Sequence, residues 1–324
     1  MADALLTVRN LSVDFHTARG VVHAVKNVSW SVDRGETLAV LGESGSGKSV
    51  SANAVMNLLD TPPARIVSGE IIYDGKDLLK VSYEEHRALN GKKIAMIFQD
   101  PLGHLNPVYT VGWQIIEMMT AHGRPADMAR ARALELINRV GIPNPEAAMR
   151  KYPHQFSGGQ RQRLMIAMAL MLKPDILIAD EPTTALDVTI QAQIMDLLSD
   201  LQSEFGMGIL FITHDLGVVA EHAHRVVVMY AGRVVERAQT GTLFDAAAHP
   251  YSAALLRCIP DEGTSDRLAV IEGSVPAPAS LPPGCRFEPR CPRAADACRT
   301  AEPTLALLGP DHAAACVRPL EAST

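Results

Sequence analysis

Apolar and polar residues are arranged along the chain in two kinds of short pattern. From Leu5 to Val32 they alternate and β-branched residues are frequent, which predicts antiparallel strands with one buried face. Continuous apolar runs predict strands that are buried on both faces. Such runs occupy residues 37–41, 94–99, 176–180, 208–213 and 225–230.

The segment between Gln99 and Ser157 has a different composition. It is rich in Ala, Met and Glu and is interrupted by prolines, which predicts helices inserted between strands. Together with the buried strands, it predicts an α/β fold. That fold has a mixed core sheet, an antiparallel β subdomain and a helical subdomain at about residues 100–172.

A glycine-rich loop follows the first continuous apolar run. It fits the pattern G-x-x-x-x-G-K-[ST] and leads into a predicted helix. Glycines let backbone N–H groups wrap around phosphates, while the lysine reaches the β- and γ-phosphates and the final serine binds Mg²⁺. The sequence therefore predicts ATP binding by Gly42, Glu43, Ser44, Gly45, Ser46, Gly47, Lys48 and Ser49.

Two adjacent carboxylates stand at the end of a later apolar run. Asp180 is its last residue and Glu181 follows directly. We expect Asp180 to hold the Mg²⁺ shell and Glu181 to polarise the water that attacks the γ-phosphate. Paired acids at a strand end therefore predict ATP hydrolysis as well as binding.

A helix is predicted to begin at Ser157. Serine is a favourable N-cap, and Gly158 and Gly159 leave backbone N–H groups open to an approaching phosphate. The segment Phe156 to Gln160 resembles the signature of the ABC ATPase superfamily, which is usually Leu-Ser-Gly-Gly-Gln. Phenylalanine replaces leucine here, at a position that is not expected to touch phosphate.

The resemblance continues in the family's order. Gln99 matches the Q-loop glutamine, Ala185-Leu186-Asp187 matches the D-loop, and His214 matches the switch histidine that contacts the γ-phosphate. Each match has an ordinary alternative, since a polar residue often ends a strand and a lone histidine is usually structural. The order of the motifs along one chain favours the family interpretation.

The resemblance also implies how these residues act. Glu181 and His214 are catalytic, and Ser49 and Gln99 bind Mg²⁺. Phe15 stands where the family places an aromatic residue that stacks on adenine, although a core phenylalanine is the alternative. Two cassettes pair head to tail, so that ATP lies between the phosphate loop of one subunit and the signature of the other: Ser157, Gly158, Gly159 and Gln160.

The last part of the chain resembles the C-terminal extension of the oligopeptide/dipeptide and nickel ABC importer ATPases. His249-Pro250-Tyr251 and the segment 284–292 carry this likeness. It implies an ATPase domain at 1–249, an extension at 250–324 and ATP-driven import of peptides, with nickel chelates or other small solutes as the alternative. The implied partners are a second, different ATPase subunit, two permease subunits and an extracytoplasmic binding protein, with this chain peripheral on the cytoplasmic face of the membrane.

Four of the five cysteines lie in the last forty residues of this proline-rich extension, and Cys258 stands apart. We expect the segment to be too short to hold a core of its own, and small segments need covalent or metal cross-links. Disulfides are not expected in reducing cytosol, and the spacing is looser than in structural zinc sites. Family resemblance favours a 4Fe–4S cluster, with zinc second and buried thiols third, at Cys285, Cys291, Cys298 and Cys316.

Composition argues against several other classes of protein. The net charge of −6 does not suit a nucleic-acid-binding protein. The N-terminal residues lack the pattern of a signal peptide, and the longest apolar run is too short to span a membrane, so we expect the pore to be another polypeptide. A DNA-repair or chromosome ATPase would carry long coiled coils, a translation ATPase two cassettes, and a P-loop kinase would not need the signature.

Overall fold

The computed structural model describes residues 4–18, 20–183, 186–259, 270–278 and 280–320. The strands are β1 (Leu6–Thr17), β2 (Gly20–Val32), β3 (Thr37–Leu41), β4 (Ala64–Tyr73), β5 (Lys76–Asp77), β6 (Ile94–Ile97), β7 (Ile176–Asp180), β8 (Gly208–Thr213), β9 (Arg225–Tyr230), β10 (Arg233–Gln239), β11 (Ala306–Gly309) and β12 (His312–Ala314). The helices are α1 (Lys48–Val55), α2 (Tyr83–Leu89), α3 (Pro101–His104), α4 (Val111–Thr120), α5 (Ala126–Arg139), α6 (Pro145–Ala148), α7 (Gly158–Ala169), α8 (Val188–Phe205), α9 (Leu216–His222), α10 (Thr240–Ala246), α11 (Pro250–Leu256) and α12 (Asp296–Thr300).

The chain divides into two compact units. The first contains Met1–Val32, Thr37–Leu79 and Ile212–Thr324, and the second contains Asp33–Glu36 and Lys80–Phe211. Among the described residues, no helix is both long and apolar enough to cross a membrane.

The first unit contains an antiparallel sheet in the order β2-β1-β4-β5. The alternating pattern at the start of the chain predicted its first two strands, and that prediction is confirmed. The alternation is interrupted at Asn10, which has a φ of +48° and whose backbone N–H donates to the Ser29 hydroxyl. The resulting register shift keeps Val8 and Leu11 both buried, although they are three residues apart.

The rest of the first unit's strands lie in the order β11-β12-β10-β9-β3. Strands β3 and β9 pair in parallel, and both are almost completely buried, as their continuous apolar runs predicted. A tight turn joins β9 to β10, and β12 near the C-terminus pairs with β10. The end of the chain is therefore built into the sheet of this unit.

The second unit contains β6 and β7, which pair in parallel, and the residues of β8 up to Phe211 beside β7. The predicted helical stretch forms α3 to α7. Strand β6 ends at Ile97, two residues before the end of the apolar run, so Gln99 follows the strand. Helices α4, α5 and α7 bury apolar residues of this unit, among them Ile115, Leu136 and Leu164.

A buried carboxylate joins three segments of the first unit. Glu236 on β10 is completely buried, and its carboxylate accepts hydrogen bonds from the backbone N–H groups of Ala248 and His249, at 2.7 and 2.8 Å. His312 on β12 places Nε2 2.8 Å from the same carboxylate. Because a buried charge is stable only when it is fully paired, this arrangement fixes the start of α11 and the position of β12.

Replacement of Glu236 by Gln tests this arrangement. The amide presents N–H groups to donors that need an acceptor, so we expect the free energy of unfolding to fall by about 2 kcal/mol. Urea unfolding of the full chain measures it. The matched control is Glu70→Gln, whose carboxylate lies 3.8 Å from Arg9 on the surface and which should change stability by less than about 0.5 kcal/mol. Equal losses in the two variants would contradict the importance of Glu236.

Candidate functional site

The phosphate loop lies between β3 and α1 in the first unit, as the sequence predicts. Gly42 and Gly47 have φ values of +153° and +96°, which L-residues with side chains rarely adopt. Neither has room for a side chain: a Cβ at Gly42 would overlap the carbonyl oxygen of Met229, and one at Gly47 would lie 2.8 Å from that of Ala24. The glycines are therefore required by conformation and by space.

The lysine of the loop is held inside it. Lys48 is 5% exposed, and its Nζ donates to the carbonyl oxygens of Gly42 at 2.7 Å and Glu43 at 3.1 Å. The buried Ser46 hydroxyl has no hydrogen-bond partner among the residues that the structure describes. An ammonium group, an unsatisfied hydroxyl and a glycine cradle at the N-terminus of α1 suit a phosphate group. Ser49, the predicted Mg²⁺ ligand, follows in the first turn of the helix.

The paired acids belong to the second unit. Asp180 is the last residue of β7 and is 6% exposed. Glu181 follows with a φ of +46°, a strained conformation for a residue with a side chain and one that is frequent at functional sites. Gln99 donates from Nε2 to the Glu181 carboxylate at 2.9 Å, so the fold brings together two residues that the sequence predicted separately.

The signature segment caps a helix of the second unit. The Ser157 hydroxyl accepts from the backbone N–H of Gln160 at 3.3 Å, and the Gln160 side chain accepts from the Ser157 N–H at 3.1 Å. The predicted N-cap is confirmed. Ser157 and Gly158 are exposed, whereas Phe156 is buried, so the substitution of leucine by phenylalanine occurs in the core.

The remaining predicted residues lie at the ends of elements or on strands. Exposed His214 follows β8 in the first unit, and Phe15 is a half-buried residue of β1 opposite Val22. In the second unit Asp187 caps α8, because its carboxylate accepts from the N–H of Ile190 at 2.9 Å. Ala185 of the predicted D-loop lies outside the described residues.

Comparisons with known proteins identify the family. The family model described as ABC transporter matches residues 25–184, and the one described as oligopeptide/dipeptide transporter, C-terminal region, matches residues 235–298. The dipeptide transport ATP-binding protein DppD of Escherichia coli (strain K12) is 49% identical over 320 residues, which are 98% of each chain. The oligopeptide transport ATP-binding protein AppD of Bacillus subtilis (strain 168) is 49% identical over 303 residues, 93% of this chain and 92% of that one.

The chain belongs to the ABC transporter ATP-binding proteins. It is therefore an ATP-binding and ATP-hydrolysing subunit of a transport system, which implies membrane permease partners and dimerisation. The fold agrees. The dimeric ATP-binding cassette MJ0796, solved in a post-hydrolysis state with ADP and Pi, superposes with a TM-score of 0.65 at 29% identity and covers 72% of this chain and 98% of its own. CbiO1 from Clostridium perfringens, part of the ABC transporter complex cbiONQ, gives 0.63 at 32% identity over 75% of this chain and 91% of its own.

Two residues of this ABC protein that the sequence did not suggest contact the phosphate loop. Arg290 forms an ion pair with Glu43, with Nη1 3.0 Å from both carboxylate oxygens. The Tyr251 hydroxyl accepts the backbone N–H of Glu43 at 3.0 Å. Both residues lie in the motifs that resemble the importer extension. Arg290 is 247 residues and Tyr251 208 residues from Glu43 along the chain, and a local sequence pattern does not predict so distant a contact.

The prediction of a 4Fe–4S cluster, with zinc second, is wrong. Among the described residues, no three His, Cys, Asp or Glu side chains form a group that could hold a metal ion. The thiols line a cavity of about 20 Å³, and all are free cysteines. Burial raises the pKa of Cys285 to about 11 and raises the pKa values of Cys291 and Cys316, so the protonated thiol is favoured at neutral pH. The metal ligands assigned to Cys285, Cys291, Cys298 and Cys316 are therefore withdrawn.

The premise behind that prediction also fails, because the extension does not need a core of its own. Phe287 is 1% exposed and packs edge-on against Tyr230 at 5.2 Å between ring centroids, with Tyr251 at 5.4 Å. The Arg286 guanidinium donates to the carbonyl oxygen of Ala231 and to Glu302. Burial of one aromatic side chain stabilises a fold by roughly 1.5–3 kcal/mol, so packing of Phe287 against Tyr230 of β9 helps to hold the extension on the rest of the unit.

The two loop glycines Gly42 and Gly45 provide a matched test of the phosphate loop. Both have positive φ, but the space around a Cβ at Gly45 is open, whereas at Gly42 it is filled by the backbone of β9. We expect Gly42→Ala to abolish nucleotide binding by the full chain, measured by calorimetry with MgATP. Gly45→Ala should lose about 1–2 kcal/mol of stability from backbone strain but leave β9 in place, since no atom of the described residues meets its Cβ. Retained binding in Gly42→Ala would show that the loop tolerates displacement of β9.

Proposed function

We propose that this subunit energises the import of dipeptides or other short peptides through a membrane permease. The observation that carries the proposal is its likeness to peptide transport ATP-binding proteins along nearly the whole chain, at 49–50% identity. The oligopeptide/dipeptide transporter match at residues 235–298 supports it independently of the ATPase motifs. Other cargo, such as nickel chelates, has no comparable support in these matches.

In this proposal the ATP contacts are those predicted from the sequence. Lys48 and the loop amides from Gly42 to Ser49 bind the phosphates, since the loop glycines leave no side chain in the way. Phe15 stacks on adenine from β1. The Ser49 hydroxyl would hold Mg²⁺, and the ion would neutralise charge on the β- and γ-phosphates. Gln99 is also proposed as a Mg²⁺ ligand, and Asp180 as part of the shell of the ion, on their sequence motifs alone.

Glu181 is the proposed general base, and His214 the proposed contact to the γ-phosphate. A carboxylate polarises water best when its orientation is fixed, and the hydrogen bond from Gln99 together with the left-handed backbone limits the orientations of Glu181. Gln99 follows β6, the strand that pairs with β7, so one pair of strands positions both groups. We infer that a change at Gln99 alters the rate of hydrolysis through Glu181.

The signature is proposed to act on the nucleotide of a second ATPase subunit. Ser157 and Gly158 are exposed at the N-terminus of α7, where the hydroxyl and helix dipole favour an anion. The dimeric structure of MJ0796 supports the pairing of two such subunits. We further propose that Asp187 lies at this interface and that the two subunits are different chains.

The wider arrangement is proposed on the same basis. Residues 1–249 would form the ATPase domain and residues 250–324 the importer-type extension. Two permease subunits would form the pore, an extracytoplasmic protein would deliver the substrate, and this chain would lie peripherally on the cytoplasmic side of the membrane. The matches to peptide transport ATP-binding proteins support this assembly.

Reconstitution of the complex with its permease tests the function. Dipeptides delivered by the binding protein should stimulate ATP hydrolysis and accumulate inside vesicles. Glu181→Gln keeps the shape of the side chain but removes the carboxylate, so hydrolysis should fall at least about a hundredfold while ATP still binds. The matched control is Glu135→Gln, an exposed residue of α5 that pairs with Arg132 and should leave hydrolysis unchanged.

Two results would contradict this proposal. A near-normal rate of ATP hydrolysis in the Glu181→Gln complex would show that Glu181 is not the general base. Stimulation by nickel chelates or another solute, with no response to dipeptides, would remove the peptide assignment but leave the ATPase role intact.

Replacement of Ser157 by Arg tests whether the signature acts in the other subunit. The bulky side chain should prevent closure of the ATPase dimer and abolish cooperative hydrolysis, while the isolated chain keeps its affinity for MgATP within about twofold. Calorimetry on the isolated chain and the hydrolysis rate of the complex measure the two effects. Loss of affinity in the isolated chain would mean that the signature acts within one subunit.

A further inference from the structure

Glu43, the second residue of the phosphate loop, is held at three points. Its backbone N–H donates to the Tyr251 hydroxyl at 3.0 Å, and its carbonyl oxygen accepts from Lys48 Nζ at 3.1 Å. Its carboxylate receives both bonds of the Arg290 ion pair. Both peptide groups of Glu43 are thus oriented, and the residue cannot rotate without breaking one of these contacts.

Arg290 is itself immobilised. Its side chain is 5% exposed, and its Nη1 lies 3.3 Å from the Tyr230 hydroxyl. The remaining donors reach backbone carbonyl oxygens: Nη2 donates to Ile271 at 3.1 Å and Nε to Glu272 at 2.9 Å. A guanidinium held by rigid partners transmits its position to the carboxylate that it binds.

The segment around Gly273 is shaped for this contact. Gly273 has a φ of +79°, and a Cβ there would lie 3.3 Å from Cγ of Arg290. The residue therefore lets the chain turn beside the arginine and present the carbonyl groups of Ile271 and Glu272. The C-terminal extension thus contributes both Arg290 and the backbone carbonyl groups that orient its guanidinium.

We propose that Arg290 is a positioning residue for nucleotide binding, through which the C-terminal extension holds the phosphate loop in its binding conformation. Arg290 does not contact the nucleotide; it acts on Glu43, and Glu43 fixes the loop backbone next to Lys48. The inference rests on the proposed role of this loop in phosphate binding. It predicts that a substitution in the extension alters ATP affinity although no ATP-binding residue is replaced.

The test uses the full chain with MgATP and MgADP as probes. Removal of a buried ion pair that orients the loop should weaken nucleotide binding about tenfold in Arg290→Ala, measured by calorimetry. Arg290→Lys keeps the positive charge, but an ammonium group cannot reach both carboxylate oxygens of Glu43 and the carbonyl oxygens of Ile271 and Glu272 at once. The nucleotide affinity of this variant should therefore lie between those of wild type and Arg290→Ala. In the reconstituted complex, KM for ATP should rise while kcat changes less than about twofold.

Arg299→Ala is the matched control. Arg299 lies in the same extension and pairs with Glu288 at 2.8 Å, but its side chain is 65% exposed and it does not reach the loop. It should leave nucleotide affinity unchanged. Thermal unfolding without nucleotide, recorded for every variant, separates loss of affinity from loss of folded protein.

A second variant keeps the test informative if Arg290→Ala folds poorly. Glu43→Gln removes the charge of the partner and should weaken binding in the same direction. The double variant Glu43→Gln/Arg290→Ala should bind no more weakly than the weaker single variant, because both remove one interaction. Additive losses, or equal affinities of Arg290→Ala and Arg299→Ala, would overturn the inference. Absence of nucleotide binding in the wild-type chain would instead overturn the proposed role of the loop.

Discussion

Phosphate binding by a backbone loop requires several N–H groups to face one point, and each peptide plane of the loop must be held against rotation. In this chain the buried strand β3 fixes where the loop begins, and α1 fixes where it ends. Gly42 and Gly47 allow the backbone to pass so close to neighbouring carbonyl oxygens that no side chain fits. The backbone of residues far along the chain, including Met229, therefore limits which residue can stand at position 42.

The C-terminal extension depends on the same unit rather than on cross-links of its own. Phe287 enters an aromatic cluster with Tyr230 and Tyr251, and β12 pairs with β10 beside the buried Glu236. One tyrosine of this cluster also accepts the N–H of Glu43. Packing of the extension and orientation of the phosphate loop are therefore properties of one set of contacts, and a change in either affects the other.

The cysteine prediction shows where local reasoning fails. The prediction assumed that this short segment must be stabilised by interactions within itself, and it therefore assigned the four thiols as metal ligands. The structure stabilises that segment with apolar burial and ion pairs to distant residues, such as Glu302 with Lys26 and Arg233.

The sequence by itself determined the elements whose signals are local. The apolar runs of β3, β7, β8 and β9, the N-cap at Ser157 and the glycines of the phosphate loop each report on neighbours a few residues away, and the described structure contains them all. The hydrogen bond between Gln99 and Glu181, the burial of Glu236 and the ion pair between Arg290 and Glu43 were decided only by tertiary structure. Each joins residues that are distant along the chain. Which residues meet depends on how the strands and the extension pack in three dimensions. Periodicity and spacing in the sequence do not predict such contacts.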